Sequence, residues 1–257
     1  MRLICLVNNY LGWQALEFLR EQAEIAMVVM HPRERSKFEK EIRAAAVAAG
    51  AEILDADALR SADGLRRVAA VKPDMGFSIM FGYLLKQEFL SLLPRGCLNL
   101  HPAFLPFNRG AHPNVWSIVD RTPAGVTLHS IDEGIDTGDI ICQTKVSVMP
   151  TDTGESLYHK LECAGLELLR EAWPAIESGQ IRRAAQTLES GTSHKVSDAS
   201  GIDEIDLQKS YKAEDLLNIL RARTFPPHRG AFFRHHGRKV YIRIQLEEER
   251  DGNDCKD

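Results

Sequence analysis

Short apolar runs alternate with helically spaced stretches along this chain, and that alternation constrains the fold more than any other feature. RLICLV leads into GWQALEFLREQ, and IAMVVMH into FEKEIRAAAVAAG, which ends at Gly50, a natural helix C-cap. AEIL precedes SADGLRRVAAV, DMGFSIM precedes KQEFLSLL, and CLNL is a fifth run. Strands alternating with helices predict an α/β fold, Rossmann-like, with a mostly parallel sheet and helices on both faces. GVTLHSID and DIICQTKVSV read as two more strands joined by DEGIDTGD, so the second half of the sheet can run antiparallel. The stretch from Thr151 to Gly179 reads as one amphipathic helix, capped by Thr151 or Thr153 and ended by Gly179. Residues 187–200, rich in Ser, Thr and Gly, read as a loop. A short helix (AEDLLNILRAR), an FPPHRG turn and a strand (KVYIRIQLEE) then form a small C-terminal helix/strand appendage. The expected division is a main domain over 1–200 and a small subdomain over 201–257, with 251–257 disordered.

The chain has 257 residues, 44% hydrophobic and 26% charged, with a net charge of −4. That balance argues against a general polyanion binder, so no nucleic-acid partner is expected. The N-terminus lacks the basic leader, apolar core and cleavage site of a signal peptide. No stretch approaches the roughly 18 apolar residues of a membrane span, so no membrane partner is expected. The five cysteines are scattered, with no CxxC, and read as free thiols of a cytoplasmic protein.

The chemistry concentrates in CLNLHPAFLPFNRGAHPNVW, residues 97–116. Asn99 and His101 are two apart on a strand and therefore face the same side. They stand at a carboxyl end, where ligands bind in such sheets. An Asn and a His placed there can polarise a carbonyl and hold an oxyanion. A carboxylate from DEGIDTGD (Asp132, Glu133, Asp136 or Asp139) can orient the imidazole and raise its pKa. The alternative is a structural pair beside solvated acids. His101, His112 and His129 show no metal-ligand spacing, and no metal is expected. VNNYLG occupies the first strand-to-helix turn without a G-x-G-x-x-G, so an NAD site is not expected, though Asn8, Asn9 and backbone amides can hold a phosphate. Tyr10 and Phe107, in loops at the crevice, are candidates for stacking on a base or sugar. Trp13 and Trp116 read as core, and His235, His236, Arg238 and Lys239 as solvated residues flanking a turn.

NLHPAFLPFNRGAHPNVW followed by AGVTLHSIDEGIDTGDII resembles the 10-formyltetrahydrofolate-dependent formyltransferases, over nearly the whole chain. The resemblance implies Asn99, His101 and Asp136 as a catalytic triad and 10-formyltetrahydrofolate as co-substrate. It places FSIMFGYLL on the folate, with the backbone of Tyr83 and Leu85 on the pterin and Phe81 and Leu84 in its apolar wall. The loop from Ile131 through Asp132 to Gly134 would close the other side. The wording is most similar to the sugar N-formyltransferases, which implies a nucleotide-linked amino sugar as partner. Asn9, Tyr10, Phe107, Arg109 and Gly110 are the candidate residues for it. The alternatives are a methionyl-tRNA or other small-amine formyltransferase, a formyltetrahydrofolate hydrolase, or a folate- or nucleotide-binding protein without turnover. A homodimer is expected, with one face of KVYIRIQL against a second copy.

Overall fold

The computed structural model describes residues 1–249; the expected disorder of 251–257 lies outside them. Strands β1 (Arg2–Val7), β2 (Glu24–Met30), β3 (Glu52–Asp55), β4 (Met75–Ile79) and β5 (Cys97–His101) run parallel. After the two-residue β6 (Arg109–Gly110), β7 (Gly125–Ser130) adds antiparallel to β5, and β8 (Ile140–Lys145) antiparallel to β7. The order is β3-β2-β1-β4-β5-β7-β8, so the sheet is mixed and mostly parallel, and its last two strands do run antiparallel. Both faces are covered, which is why β1 is apolar almost throughout. Alternation sends Leu3, Cys5 and Val7 into one core cluster and Ile4 and Leu6 into the other. The first cluster takes side chains from α1 (Asn9–Gln22), α2 (Glu39–Ala48), α5 (Pro113–Val119) and α6 (Gly154–Glu177). The second takes Val68 from α3 (Ala62–Ala70) and Phe89 from α4 (Gln87–Leu90).

Helix α6 is the long helix expected, and its cap is Thr153. The Thr153 hydroxyl accepts from the Ser156 N–H at 3.2 Å, and the Ser156 hydroxyl accepts from the Thr153 N–H at 3.0 Å. Gly179 follows the helix with φ +73°, the left-handed conformation a C′ glycine adopts most easily. Trp116 is core, as expected, whereas Trp13 is half-buried in an exposed aromatic group with Tyr10 and Phe38.

Three segments differ from expectation. KQEFLSLL forms only the single turn α4. Residues 187–200 are not a plain loop: they hold a 3-10 turn (Leu188–Ser190), a short strand β9 (Ser193–His194) and the start of α7 (Val196–Gly201). β9 pairs with β6, a partner 84 residues away that no local pattern reveals. KVYIRIQLEE becomes one arm of a hairpin, β10 (Phe232–His235) against β11 (Arg238–Tyr241), and its strand stops at Tyr241. His236 and Gly237 form the turn, both at positive φ, with His235, Arg238 and Lys239 exposed beside it. Helix α8 (Ala213–Ala222) packs on α5. An Arg223–Asp203 ion pair and the Ile205 N–H donating to Phe232 O at 2.7 Å tie the appendage together. Among the described residues no helix is long and apolar enough to cross a membrane.

Removing the α6 cap tests this assignment. Thr153→Ala leaves the Ser156 N–H without its partner and should cost about 1 kcal/mol. Urea unfolding followed by circular dichroism measures it; no change in midpoint would refute the capping role.

Candidate active site

The antiparallel pairing of β5 with β7 builds the centre of the site. It sets Asn99 opposite His129 and His101 opposite Thr127. Each strand carries two polar residues two apart in an apolar run, Asn99 and His101 on one, Thr127 and His129 on the other. The register brings all four to one face. The loop after β7 then returns Asp136 to the same place. Asn99 Nδ2 donates to His129 Nε2 and to Asp136 Oδ1, both at 3.1 Å. Asp136 Oδ2 lies 3.6 Å from His101 Nε2, and Asp136 Oδ1 lies 3.5 Å from His129 Nε2. The structure thus brings Asn99, His101 and Asp136 together. His129, which the sequence offered only as a weak metal ligand, stands within the cluster.

Backbone groups complete it. The Gly110 N–H donates to Asp136 Oδ2 at 2.9 Å. Gly110 has φ +89°, and a Cβ there would come within 2.4 Å of His194 O, so only glycine brings this N–H to the carboxylate. A Cβ at Gly138 would meet Ser130 O at 1.9 Å, so the Asp136 loop closes onto β7 only with glycine at that position. Thr127 Oγ1 donates to Ala103 O and accepts from the Leu105 N–H, which fixes the loop leaving β5. Asn108 is fully buried, bonded through its side chain to Ser117, Thr122 and Thr192. Its carbonyl faces His101 Nε2 at 3.4 Å.

These contacts assign protonation states. His129 Nδ1 faces the Ser130 carbonyl at 2.9 Å and must carry hydrogen, leaving Nε2 to accept from Asn99. His101 Nε2 faces two acceptors, Asn108 O and Asp136 Oδ2. It therefore carries hydrogen, and Nδ1 holds the lone pair. Burial opposes the charged form of Asp136, but the neighbouring His101 and the Gly110 N–H outweigh it and hold the carboxyl well below the usual carboxylate range. For His101 the balance is reversed. Burial lowers its pKa, and the Asp136 charge only partly offsets this. The carboxylate does raise the imidazole pKa, as expected, but the expectation that this keeps the ring protonated is corrected: the imidazole rests neutral, because it loses more by desolvation than one anion returns. Both Asn99 amide hydrogens are already engaged, so one must leave its acceptor to reach an oxyanion.

The other candidate residues fall into separate groups. Phe81 and Leu85 are buried in the second core cluster, with Tyr83 and Ile131 half-buried against it. Phe81 is thus taken up by the core, whereas Leu84 is 63% exposed. The Tyr83 hydroxyl is buried without a partner. His31, not singled out from the sequence, packs edge-on against the Phe81 and Tyr83 rings, 5.0 Å from each. Asp132 accepts from the Gly134 N–H and the Thr137 hydroxyl, forming a turn in the exposed loop. Asn9 lies in the first turn of α1 and bonds to Tyr158 on α6. Tyr10 is 41% exposed, edge-on to Trp13 and Phe38. Phe107 and Arg109 are half-buried, and Arg109 Nε has no partner. Among the described residues no three His, Cys, Asp or Glu side chains converge as metal ligands.

A mixed sheet with a buried Asn–His–carboxylate cluster at a strand's carboxyl end carries the hydrogen-bond donor and the base that acyl transfer requires. Residues 4–173 match the Formyl transferase family, and residues 198–248 match the N-formyltransferase dimerization C-terminal domain. The chain belongs to the Formyl transferase family, and its reaction is formyl transfer. A methionyl-tRNA formyltransferase of Acetivibrio thermocellus is 29% identical over 256 residues, covering 97% of this chain and 81% of the relative. The dTDP-4-amino-4,6-dideoxyglucose formyltransferase of Mycobacterium tuberculosis is 35% identical over 177 residues, covering 68% of this chain and 75% of the relative. Among solved structures, a 4-N formyltransferase from Francisella tularensis superposes with a TM-score of 0.82 at 27% identity, covering 96% of this chain and 98% of that one. The formyltransferase PseJ from Anoxybacillus kamchatkensis, in complex with UDP-4,6-dideoxy-4-formamido-L-AltNAc and tetrahydrofolate, matches with a TM-score of 0.54 at 30% identity, covering 74% of this chain and 94% of that one.

The state of Asp136 has a consequence for stability. Its folded pKa lies below the unfolded value of about 4. It therefore contributes stability above that value and loses it as pH falls toward the folded value. The difference in urea stability between wild type and Asp136→Asn should be widest above about pH 5 and narrow below about pH 4. A difference independent of pH would refute the depressed value.

Proposed function

We propose that this enzyme moves the formyl group of 10-formyltetrahydrofolate to the amine of a nucleotide-linked amino-dideoxy sugar. The observation that carries the acceptor assignment is the 35% identity to the dTDP-4-amino-4,6-dideoxyglucose formyltransferase of Mycobacterium tuberculosis, and the end-to-end match to the Francisella 4-N formyltransferase, which takes in the C-terminal appendage as well as the sheet, supports it. The tetrahydrofolate complex of PseJ supports the donor. So does this chain's own segment after β4, where the Tyr83 hydroxyl lacks a partner, a Cβ on Gly82 would meet nothing within 4 Å, and Leu84 is exposed. Tyr83, Leu84, Leu85 and the loop 131–134 would hold the pterin end. Asn9, Tyr10, Phe107, Arg109 and Gly110 would face the acceptor. The match to a dimerization domain, with Val240 and Tyr241 exposed on β11, supports a homodimer through the appendage.

The chemistry follows from the protonation states. An amine with a pKa near about 8 is partly neutral at pH 7 and attacks the formyl carbon. One Asn99 amide hydrogen turns to the developing oxyanion. The amine becomes cationic as the bond forms, and the neutral His101 takes its proton at Nδ1. The Asp136 anion, 3.6 Å from Nε2, stabilises the imidazolium thus produced. His101 then gives the proton to the departing folate nitrogen. Burial lowers the imidazole pKa enough to keep it a base at rest, and the fixed carboxylate makes protonation accessible during turnover.

His101→Asn and Asp136→Asn should each lower turnover at least roughly a hundredfold with the fold retained. Steady-state assays and circular dichroism on the purified variants test this, and near-normal turnover in either would sink the assignment.

The methionyl-tRNA formyltransferase match, which covers 97% of this chain, favours a second reading with charged initiator tRNA as acceptor. Direct competition separates the two: dTDP-linked 3-amino and 4-amino dideoxyhexoses against charged initiator tRNA and glycinamide ribonucleotide. The sugar should show the highest kcat/KM. If tRNA or the ribonucleotide does, the acceptor named here is wrong and only the formyl-transfer chemistry stands.

A further inference from the structure

Asp136 is not held in place by its own loop. The four residues before it, 132–135, are exposed, and Ile135 shows 65% of its surface to solvent. Asp136 itself sits at φ +54°, in the left-handed region that a non-glycine residue rarely adopts. Such a conformation persists where surrounding contacts over-determine it. Within the loop, Asp132 ties to Gly134 and Thr137, and Ser130 binds Asp139 O, but these bonds leave the Asp136 peptide untouched.

The chain after α6 supplies the missing hold. It returns across the end of β8, where Ala184 and Ile140 exchange backbone bonds of 2.8 and 2.9 Å. Two residues on, Gln186 points its amide into the loop. Its Nε2 donates to Asp136 O at 2.9 Å and to Gly138 O at 2.7 Å, so both amide hydrogens grip the loop backbone on either side of Thr137. The same stretch then reaches the other support of the carboxylate. The Arg109 N–H donates to Thr192 O and the Ala111 N–H to His194 O, which sets Gly110 between them with its N–H on Asp136 Oδ2. One segment, 184–194, thereby fixes the Asp136 backbone from below and the donor to its carboxylate from the side.

We propose that Gln186 is a positioning residue for the reaction: by clasping the carbonyls of Asp136 and Gly138 it holds the carboxylate at its working distance from His101. This rests on the reading of Asp136 given above. Gln186 touches none of the reacting side chains, and its effect passes through the backbone of Asp136. Gln186→Met keeps the length and removes both donors. Gln186→Glu keeps the shape, returns one donor while the introduced carboxyl is protonated, and sets charge against two carbonyl oxygens once it ionises.

The test has one readout that needs no acceptor. The His101 C2–H resonance is followed by NMR as pH is varied, in wild type, Gln186→Met and Asp136→Asn. Because the Asp136 anion raises the imidazole pKa, Asp136→Asn should move the midpoint down, and Gln186→Met should move it the same way by less, with cooperative unfolding retained. With 10-formyltetrahydrofolate and dTDP-4-amino-4,6-dideoxyglucose, Gln186→Met should lower kcat about tenfold and leave both KM values within about twofold. Gln186→Glu should retain most activity at the acidic end of the range, relative to wild type, and lose it as pH rises. A wild-type His101 midpoint in Gln186→Met, beside a shifted one in Asp136→Asn, overturns the inference alone. So does a loss of cooperative unfolding in both Gln186 variants, which would make the residue structural. A His101 midpoint and turnover unaffected by Asp136→Asn would instead overturn the underlying reading of the site.

Discussion

A buried, ionised Asp136 is the constraint on which the rest of the site depends. Taking a carboxylate out of water is costly unless hydrogen bonds and opposite charge replace the lost hydration. Here the replacements are specific: the Gly110 N–H on one oxygen and the Asn99 amide on the other, with the N–H-bearing Nε2 of His101 3.6 Å away. They come from different stretches of chain. The anion therefore forces β5, β6, β7 and the loop after β7 to agree on one geometry. Gly110 and Gly138 are where that agreement is tightest, since a methyl group at either would collide with backbone.

The same anion bears on the role proposed for His101. A free imidazole in a polar cleft would be half-protonated near neutral pH. Burial alone would make it a poor base by holding its pKa far down, and the carboxylate alone would keep it charged. The two effects oppose each other on one ring, with burial the larger. The result is a neutral base whose protonated form is stabilised by a fixed neighbour. His129 and Ser130 contribute at one remove, by fixing which imidazole nitrogen accepts from Asn99.

Much of the fold was legible in the chain because its elements are strongly periodic. The parallel half of the sheet follows from apolar runs alternating with helical patterns, the antiparallel half from two runs joined by an eight-residue acidic turn, and the limits of α6 from Gly179 and either Thr151 or Thr153. What failed to show were elements defined by distant partners. β9 is two residues long and exists only because β6 lies beside it, so its Ser- and Thr-rich neighbourhood reads as loop. The β11 strand ends at Tyr241 although its alternation continues: after one more bond, from the Ile242 N–H to Ala231 O, the next inward N–H, of Ile244, donates to Thr224 Oγ1 instead of to a strand.

By itself the sequence determined the chemical vocabulary of the site: an Asn and a His two apart at a strand end, an acidic loop to follow, and glycines where the chain must turn tightly. These are local facts, set by strand periodicity and residue type. Only the tertiary structure decided how Asp136, the carboxylate to which the family resemblance points, is held there, that His129 rather than solvent faces Asn99, and that His101 rests neutral. Those depend on antiparallel register, on burial, and on Gln186, 50 residues beyond Asp136 in the chain. Cross-strand register and desolvation are sums over contacts between distant segments, and no local pattern of residues encodes such a sum.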